Sequence, residues 1–422
     1  MLARSLWISL WMASSGLAVA QSFPEALPAV PKTLVKSDER RTSGESEIIR
    51  TSTGFLLSWA DRGVRGGSSS FFVRSFNNNG SPRRPAVLLR DVRFGSGPKL
   101  ANAGRNRTAV LWHRTPGLGN VIEGGVFDLQ SNTLSPVKKV APGGTSWTAH
   151  QLTELPNGRL ALAVLDSTSL AEGSRFRVMV STLDRDLNRL SGPVSVIGNG
   201  YKTTQTTSDD LALVASDQRG YVSYLDRAKV AVILRAFTLD GAPVGVATQV
   251  NTTSLTPLGF VADFRIRAAR LTNGRLLILW EGTENFDGSS LETTIRGRFF
   301  SPSGQPDGPD FLVHVKQPDS HRAAEGFAAV ALADGQSAVL YRVRNYDNPQ
   351  RARFVMRTYD AAGKPMGAPV TTLAEAPPYG YFIESVATSL SDGSIAHIFS
   401  DGSPTRLLGY GVMPPLNSLP LE

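Results

Sequence analysis

The stretch "LTNGRLLILWEG", Leu271 to Gly282, decides the fold. A turn dipeptide, Asn273-Gly274, leads into an uninterrupted apolar run from Leu276 to Trp280, and the run stops at an acid, Glu281. The same shape occurs as "LPNGRLALAVLD" (Leu155–Asp166), "LADGQSAVLYRV" (Leu332–Val343) and "LSDGSIAHIFSD" (Leu390–Asp401). Asn-Gly and Asp-Gly are residues of type I′ hairpins, where both central positions take positive φ. A short apolar run bounded by turn signals reads as a strand covered on both faces.

The surroundings repeat as well. "FRIRAARL" (Phe264–Leu271) precedes the turn, and a polar loop, "TENFDGSSLE", follows the apolar run. "TTIRGRFF" (Thr293–Phe300), the turn "SPSGQP" and "PDFLVHV" complete the unit. Matching pieces include "GFLLSWAD" from Gly54, "RTAVLWHR" from Arg107, "RGYVSYLD" from Arg219 and "RFVMRTYDAAGKPMGAPVTTL" from Arg353. In all, seven such units can be read along the chain. A four-stranded sheet of this size cannot bury both faces alone, whereas seven packed radially can. The sequence therefore predicts an all-β chain, a seven-bladed β-propeller of four-stranded antiparallel blades.

Closure follows from the ends. After "LLGYGVMP" little chain remains for an outer strand, while "AVPKTLVKS" (Ala29–Ser37) has no partner of its own. The N-terminal segment, about 29–37, is expected to supply the outer strand of the last blade, with Leu416–Leu421 as the local alternative.

The first twenty residues read as a signal peptide: Arg4, a short apolar stretch from Leu6 to Met12, and the small-x-small site Ala18-Val19-Ala20. That leaves residues 21–422 as one propeller domain, exported to periplasm or extracellular space. No later stretch reaches the length of a membrane span. The chain has no cysteine, which excludes disulfides, thiol catalysis and cysteine zinc sites. Its formal charge of +8 favours anionic partners at long range, although the basic residues are scattered.

"ADG-x-x-x-V-L-Y" followed by "R-x-Y-D-x-x-G-x-P-x-G", Ala333 to Gly367, resembles the repeats of secreted bacterial β-propeller proteins. Trp280 with Phe300, and Tyr341 with Tyr359, stand where such repeats carry aromatics. The resemblance covers nearly the whole mature chain and implies a fold and an exported setting, with no catalytic residue. The aspartate box of sialidases is not matched.

In a propeller the second-to-third-strand loops and the blade-to-blade links open on one face, and here these are the long, varied segments. One group of polar residues ends the second strands: Asp61, His113, Arg114, Asp166, Asp226, Glu281, Arg342 and Asp401. Another lies between blades and includes Trp147, His150, Tyr201, Lys202, Asp263, His321, Arg322, Tyr379, Tyr381 and Glu384. The expected ligand contacts are Trp147, His150, Tyr201, Asp263, Glu281, His321, Arg322 and Tyr379. Aromatics give apolar contact to sugar faces, and charged groups give oriented hydrogen bonds. His314 and His397 are read as structural.

No phosphate-binding loop, GxSxG elbow, HExxH, calcium loop or nucleic-acid motif is present, and neither a metal nor a cofactor is expected. The leading expectation is an exported non-enzymatic recognition module for an acidic glycan or an envelope protein, with a rigid docking disc in an envelope complex as a variant. The second is a polysaccharide-active hydrolase or lyase at the channel mouth. Paired carboxylates about 5 to 9 Å apart would hydrolyse, while His321, Arg322 and Tyr379 would form a lyase set.

Overall fold

The computed structural model describes residues 32–33, 41–63, 69–92, 97–115, 120–144, 147–170, 173–197, 201–203, 211–226, 229–252, 265–285, 291–314, 322–345, 352–376, 385–400 and 408–413. These form seven antiparallel sheets of four main strands, with one 3-10 turn at Ala333–Gly335. Blade 5, built from the opening motif, comprises Ile266–Arg270, Leu276–Asn285, Leu291–Phe300 and Phe311–Leu312. The first strands of the other blades are Arg41–Thr51, Lys99–Asn102, Trp147–Glu154, Leu211–Ala215, Arg322–Ala331 and Ser385–Ser389.

Side-chain alternation makes each sheet apolar on both faces, so each blade packs against two neighbours. In the second strand of blade 5, Ile278 and Trp280 pack with Val214 and Tyr221 of blade 4. Leu277 and Leu279 pack the other way, with Phe327 and Tyr341 of blade 6. All five residues from Leu276 to Trp280 are fully buried, and each contributes roughly 1.5–3 kcal/mol by leaving water. Seven apolar clusters fill seven seams, the last joining Val386 and Ile398 of blade 7 to Leu57 and Trp59 of blade 1. The ring is thus closed by packing, and also by pairing: Lys32–Thr33 lies beside Leu408–Met413 as the outer strand of blade 7.

The turns differ from their expected type in an instructive way. At Asn273-Gly274 only the glycine has positive φ, at 83°. Gly274 N donates to Leu271 O and Leu271 N to Arg275 O, the pattern of a type I turn followed by a bulged glycine. The Pro156–Gly158 and Asp392-Gly393 turns repeat it. Only Asp334-Gly335, of the four, has both central residues at positive φ, 54° and 77°. Either solution needs a glycine at the same place, so the sequence signal is the same for both.

Arginines at the start of the second strands or one position before it tie blades together on the short-turn face. Arg107 reaches Asp186 and Arg159 reaches Asp240, each in the next blade. Arg275 reaches the carbonyl of Ala361 in blade 6.

Candidate functional site at the mouth of the channel

The long-loop face carries the polar ends of the second strands, and there the structure buries charge. Glu281, on the parity of Leu277 and Leu279, is only 3% exposed. Its carboxylate lies 3.6 Å from the guanidinium of Arg265, and its backbone N–H donates to the Arg265 carbonyl. On the other face of the blade, opposite Trp280 in register, Arg296 meets Asp310 at 3.4 Å. Blade 2 holds Arg114 on Glu123 through two bonds, Nε to Oε2 at 3.0 Å and Nη2 to Oε1 at 2.5 Å. Asp166 takes Arg177, its register partner, at 3.3 Å. Asp226 is buried 3.8 Å from Lys229. Asp61 and Arg342 are buried too, and Asp401 lies outside the described residues. A charge taken from water without a partner costs far more than one packed against its opposite, which is why these strand ends come as ion pairs.

Inside the ring, first strands from all seven blades enclose a cavity of ≈ 170 Å³ beneath this face. Four of its lining residues are polar and half-buried: Glu47, Lys99, Gln151 and Arg267. Lys99 Nζ donates to Glu47 Oε2 at 3.3 Å. Arg267 Nη1 donates to the Ile266 carbonyl at 3.1 Å.

Two histidines meet in the seam between blades 2 and 3. His113 shares the parity of Ala109 and Leu111, which face blade 3, and His150 that of Leu152, which faces blade 2. Burial lowers the basicity of His113, against a hydrogen bond to Asn120 that raises it. Asn120 Oδ1 in turn accepts from Thr115 Oγ1 at 2.8 Å. His113 Nε2 is covered and has no hydrogen-bond partner among the described residues. His150 is fully enclosed and pushed down to about 3, by burial first and then by the charges of Lys99 and His113. Its Nε2 lies 3.5 Å from the Leu111 carbonyl.

Of the expected contacts, His150 and Glu281 are fully placed, the first in the blade 2–3 seam and the second beneath the blade 5–6 seam. The backbone of Trp147 opens the first strand of blade 3, opposite Asp166. Tyr201 pairs with Phe176 in a short added strand of the same blade. Arg322 opens the first strand of blade 6, opposite Asn345. Asp263, His321 and Tyr379 lie outside the described residues. Elsewhere, His397 is buried on Ser385 Oγ at 2.8 Å, as a structural histidine.

Sequence reasoning passed over Glu47, Lys99 and Arg267. A signal existed: with Gln151 they stand at one offset from their turns, each seven positions before the positive-φ residue (Gly54, Asn106, Gly158 and Gly274). Asn120 and Glu123 had no such mark, since their partners come from the preceding strand.

No family model matches the chain, and no curated protein matches it. Solved structures do. An ulvan lyase bound to -[GlcA(1-4)Rha3S]-, described as a new family of polysaccharide lyase, aligns with a TM-score of 0.53 at 11% identity, over 90% of this chain and 96% of its own. A second structure of an ulvan lyase from a new polysaccharide lyase family gives 0.52 at the same identity and coverage. An α-L-arabinanase from Penicillium chrysogenum, complexed with arabinobiose, gives 0.49 at 12% identity, over 92% of this chain and 99% of its own. At these identities the likeness is one of fold. It nevertheless counts against the leading expectation of a non-enzymatic module and for its hydrolase-or-lyase alternative: two solved structures that share this ring are of ulvan lyases.

Proposed function

We propose that the protein is an exported polysaccharide lyase that cleaves a uronate-containing glycan at the long-loop mouth. The observation that carries this reading is His113, a half-buried imidazole at the end of the second strand of blade 2, hydrogen-bonded to Asn120 and made less basic by burial. In the proposed reaction Nε2 takes the proton from C5 of the uronate. The electron pair left behind forms the C4=C5 double bond, the C4–O glycosidic bond breaks, and the departing oxygen takes the proton back from the imidazolium. A substrate reaches Nε2 only by displacing the groups that cover it.

Lyase chemistry is preferred over hydrolysis for a reason visible in the ion pairs. Hydrolysis uses two carboxylates facing one glycosidic bond. Here Glu47, Glu123, Asp166, Glu281 and Asp310 are each engaged by a lysine or arginine. The +8 formal charge suits an acidic polymer, and the fold shared with ulvan lyases agrees in class. Export is part of the same proposal and rests on the signal-like first twenty residues. Among the described residues no helix is long and apolar enough to cross a membrane.

The test is incubation with pectate, alginate, hyaluronan and ulvan, followed by product structure. An unsaturated uronate at the new non-reducing end supports the proposal. Saturated fragments make the enzyme a hydrolase, and polymers left intact throughout remove the enzymatic reading.

A further inference from the structure

On the short-turn face, four turns meet where blade 1 adjoins blade 2. Ser52 Oγ, in the first turn of blade 1, donates to Asn106 Oδ1 in the first turn of blade 2 at 3.0 Å. Arg83, in the last turn of blade 1, donates through Nη1 to Thr53 Oγ1. Its neighbour Arg84 reaches the Gln130 carbonyl, in the last turn of blade 2, at 3.4 Å. Arg105 stands beside Asn106 at the tip of its turn. All three arginines are exposed, and among the described residues none of them forms an ion pair. The carboxylates of the adjoining turns are occupied. Asp128 Oδ1 accepts from the backbone N–H groups of Gln130 and Ser131 at 2.8 and 2.7 Å. Asp186 is held by Arg107, and Asp392 Oδ1 accepts from Ser394 N at 3.0 Å. This corner departs from the rest of the ring. The link from third to fourth strand carries an aspartate in blades 2 to 6: Asp128, Asp184, Asp240, Asp307 and Asp360. Each of them caps its own turn or meets an arginine. In blade 1 the link reads "NNGSPRRPA", residues 78–86, with two arginines and no acid. That turn is closed by backbone bonds, Gly80 N to Asn77 O and Asn77 N to Ser81 O, both at 2.9 Å. Its positive charge is therefore surplus to folding.

We propose that this corner is an anchoring surface for an acidic polysaccharide, remote from the mouth, with Arg83, Arg84 and Arg105 taking carboxylates of successive sugar units. A guanidinium presents a planar fork of donors that matches a carboxylate. Exposed Asn79, Gln130 and Ser131 offer donors and acceptors to sugar hydroxyls. The four turns contain no aromatic residue. The large exposed apolar side chains, Leu88, Val137, Leu190, Val246 and Met366, lie outside them. Stacking on nucleic-acid bases needs aromatics, and shallow insertion into a membrane needs exposed apolar groups. The surface therefore fits a hydrophilic polyanion. It lies on the face opposite the mouth, so a chain held here leaves the cleavage site open and is kept at high local concentration beside it. The choice of a uronate polymer as occupant rests on the lyase reading above.

The experiment is binding of the intact protein to immobilised pectate, with neutral dextran and phosphatidylglycerol vesicles alongside. Pectate should bind, added salt should weaken it, and dextran should not bind. The variant Arg83→Gln/Arg84→Gln/Arg105→Gln should bind pectate at least about tenfold more weakly, the sum of three exposed charge contacts. A matched variant, Lys139→Gln/Arg189→Gln/Lys364→Gln, removes the same charge at exposed positions elsewhere, and should stay within about threefold of the parent. Melting curves verify that both are folded. Arg105 makes no hydrogen bond among the described residues, so Arg105→Glu serves if the triple variant is unstable, and should itself lose about threefold or more. The proposal is overturned if the two triple variants weaken alike, or if the turn variant binds pectate like the parent. Loss of vesicle binding with pectate binding unchanged would also overturn it, by making the surface a membrane contact. The two proposals fail separately. Pectate held by the arginines but never cleaved removes the lyase reading alone, whereas pectate cleaved and bound equally by the turn variant removes the anchoring surface alone.

Discussion

Glu281 and Arg265 form a buried ion pair, carboxylate to guanidinium at 3.6 Å, beneath the long-loop face of blade 5. Removing one partner leaves the other charge stranded away from water. Glu281→Leu alone should therefore lower unfolding free energy by about 3–5 kcal/mol, and the Glu281→Leu/Arg265→Met double variant should recover most of it. Urea unfolding of the single and double variants decides this; a single variant within experimental error of the parent contradicts it.

The exposed pairs of the opposite face should behave differently. Arg159 and Asp240 are 40% and 74% exposed, and Arg107 and Asp186 are 38% and 59% exposed. Such pairs are screened by water and salt, so Arg159→Ala should cost less than about 1 kcal/mol. The same urea measurement, at low and high salt, checks it.

Acid should weaken the fold through two enclosed histidines. His150 and His397 are each held near 3, below the ordinary 6.5, and burial is the first cause in both. Around His150 stand Lys99, His113 and the Leu111 carbonyl; around His397 stand Ser385 and the edge-on ring of Phe354. Between 3 and 6.5 the unfolded chain binds more protons than the folded one. The stabilising difference is thus fully present above pH 6.5 and falls by up to about 1.4 kcal/mol per pH unit per histidine as pH drops toward 3. Melting temperatures between pH 7 and 4.5 should fall steeply for the parent and less steeply for His150→Leu. Parallel curves would contradict this assignment.

Much of the fold was legible because its signals are local. The glycines at 158, 274, 335 and 393 mark the first turns whichever turn type is used, and the apolar runs after them mark strands covered twice. Closure was legible from an unpartnered segment, of which Lys32–Thr33 is seen pairing. The site was much less so. Whether Glu281 meets water or Arg265 depends on a residue sixteen positions earlier in another strand. His113 and His150 come together only because blades 2 and 3 abut, and the channel wall collects single residues from seven blades. Those relations are set by the ring, and no short stretch of sequence contains them. The function class was misjudged for a related reason: the repeat signals a fold alone, and nothing in the repeated piece "RTAVLWHR" sets His113 apart from the polar ends of the other second strands.

Asn120 acts through His113 and should be separable from it. Its hydrogen bond raises the basicity of His113, so Asn120→Ala should move the acid limb of the pH–rate profile to lower pH and reduce kcat more than KM. A profile unchanged in shape would make Asn120 merely structural.

The central claim is that His113 abstracts a proton at the long-loop mouth. The direct measurement is the rate of unsaturated-uronate formation by the parent and by His113→Ala on the best of the four polysaccharides, with melting curves to verify that both are folded. The account predicts formation by the parent and a loss of at least about a hundredfold in the variant. A folded His113→Ala protein that forms unsaturated product at the parent rate would contradict it.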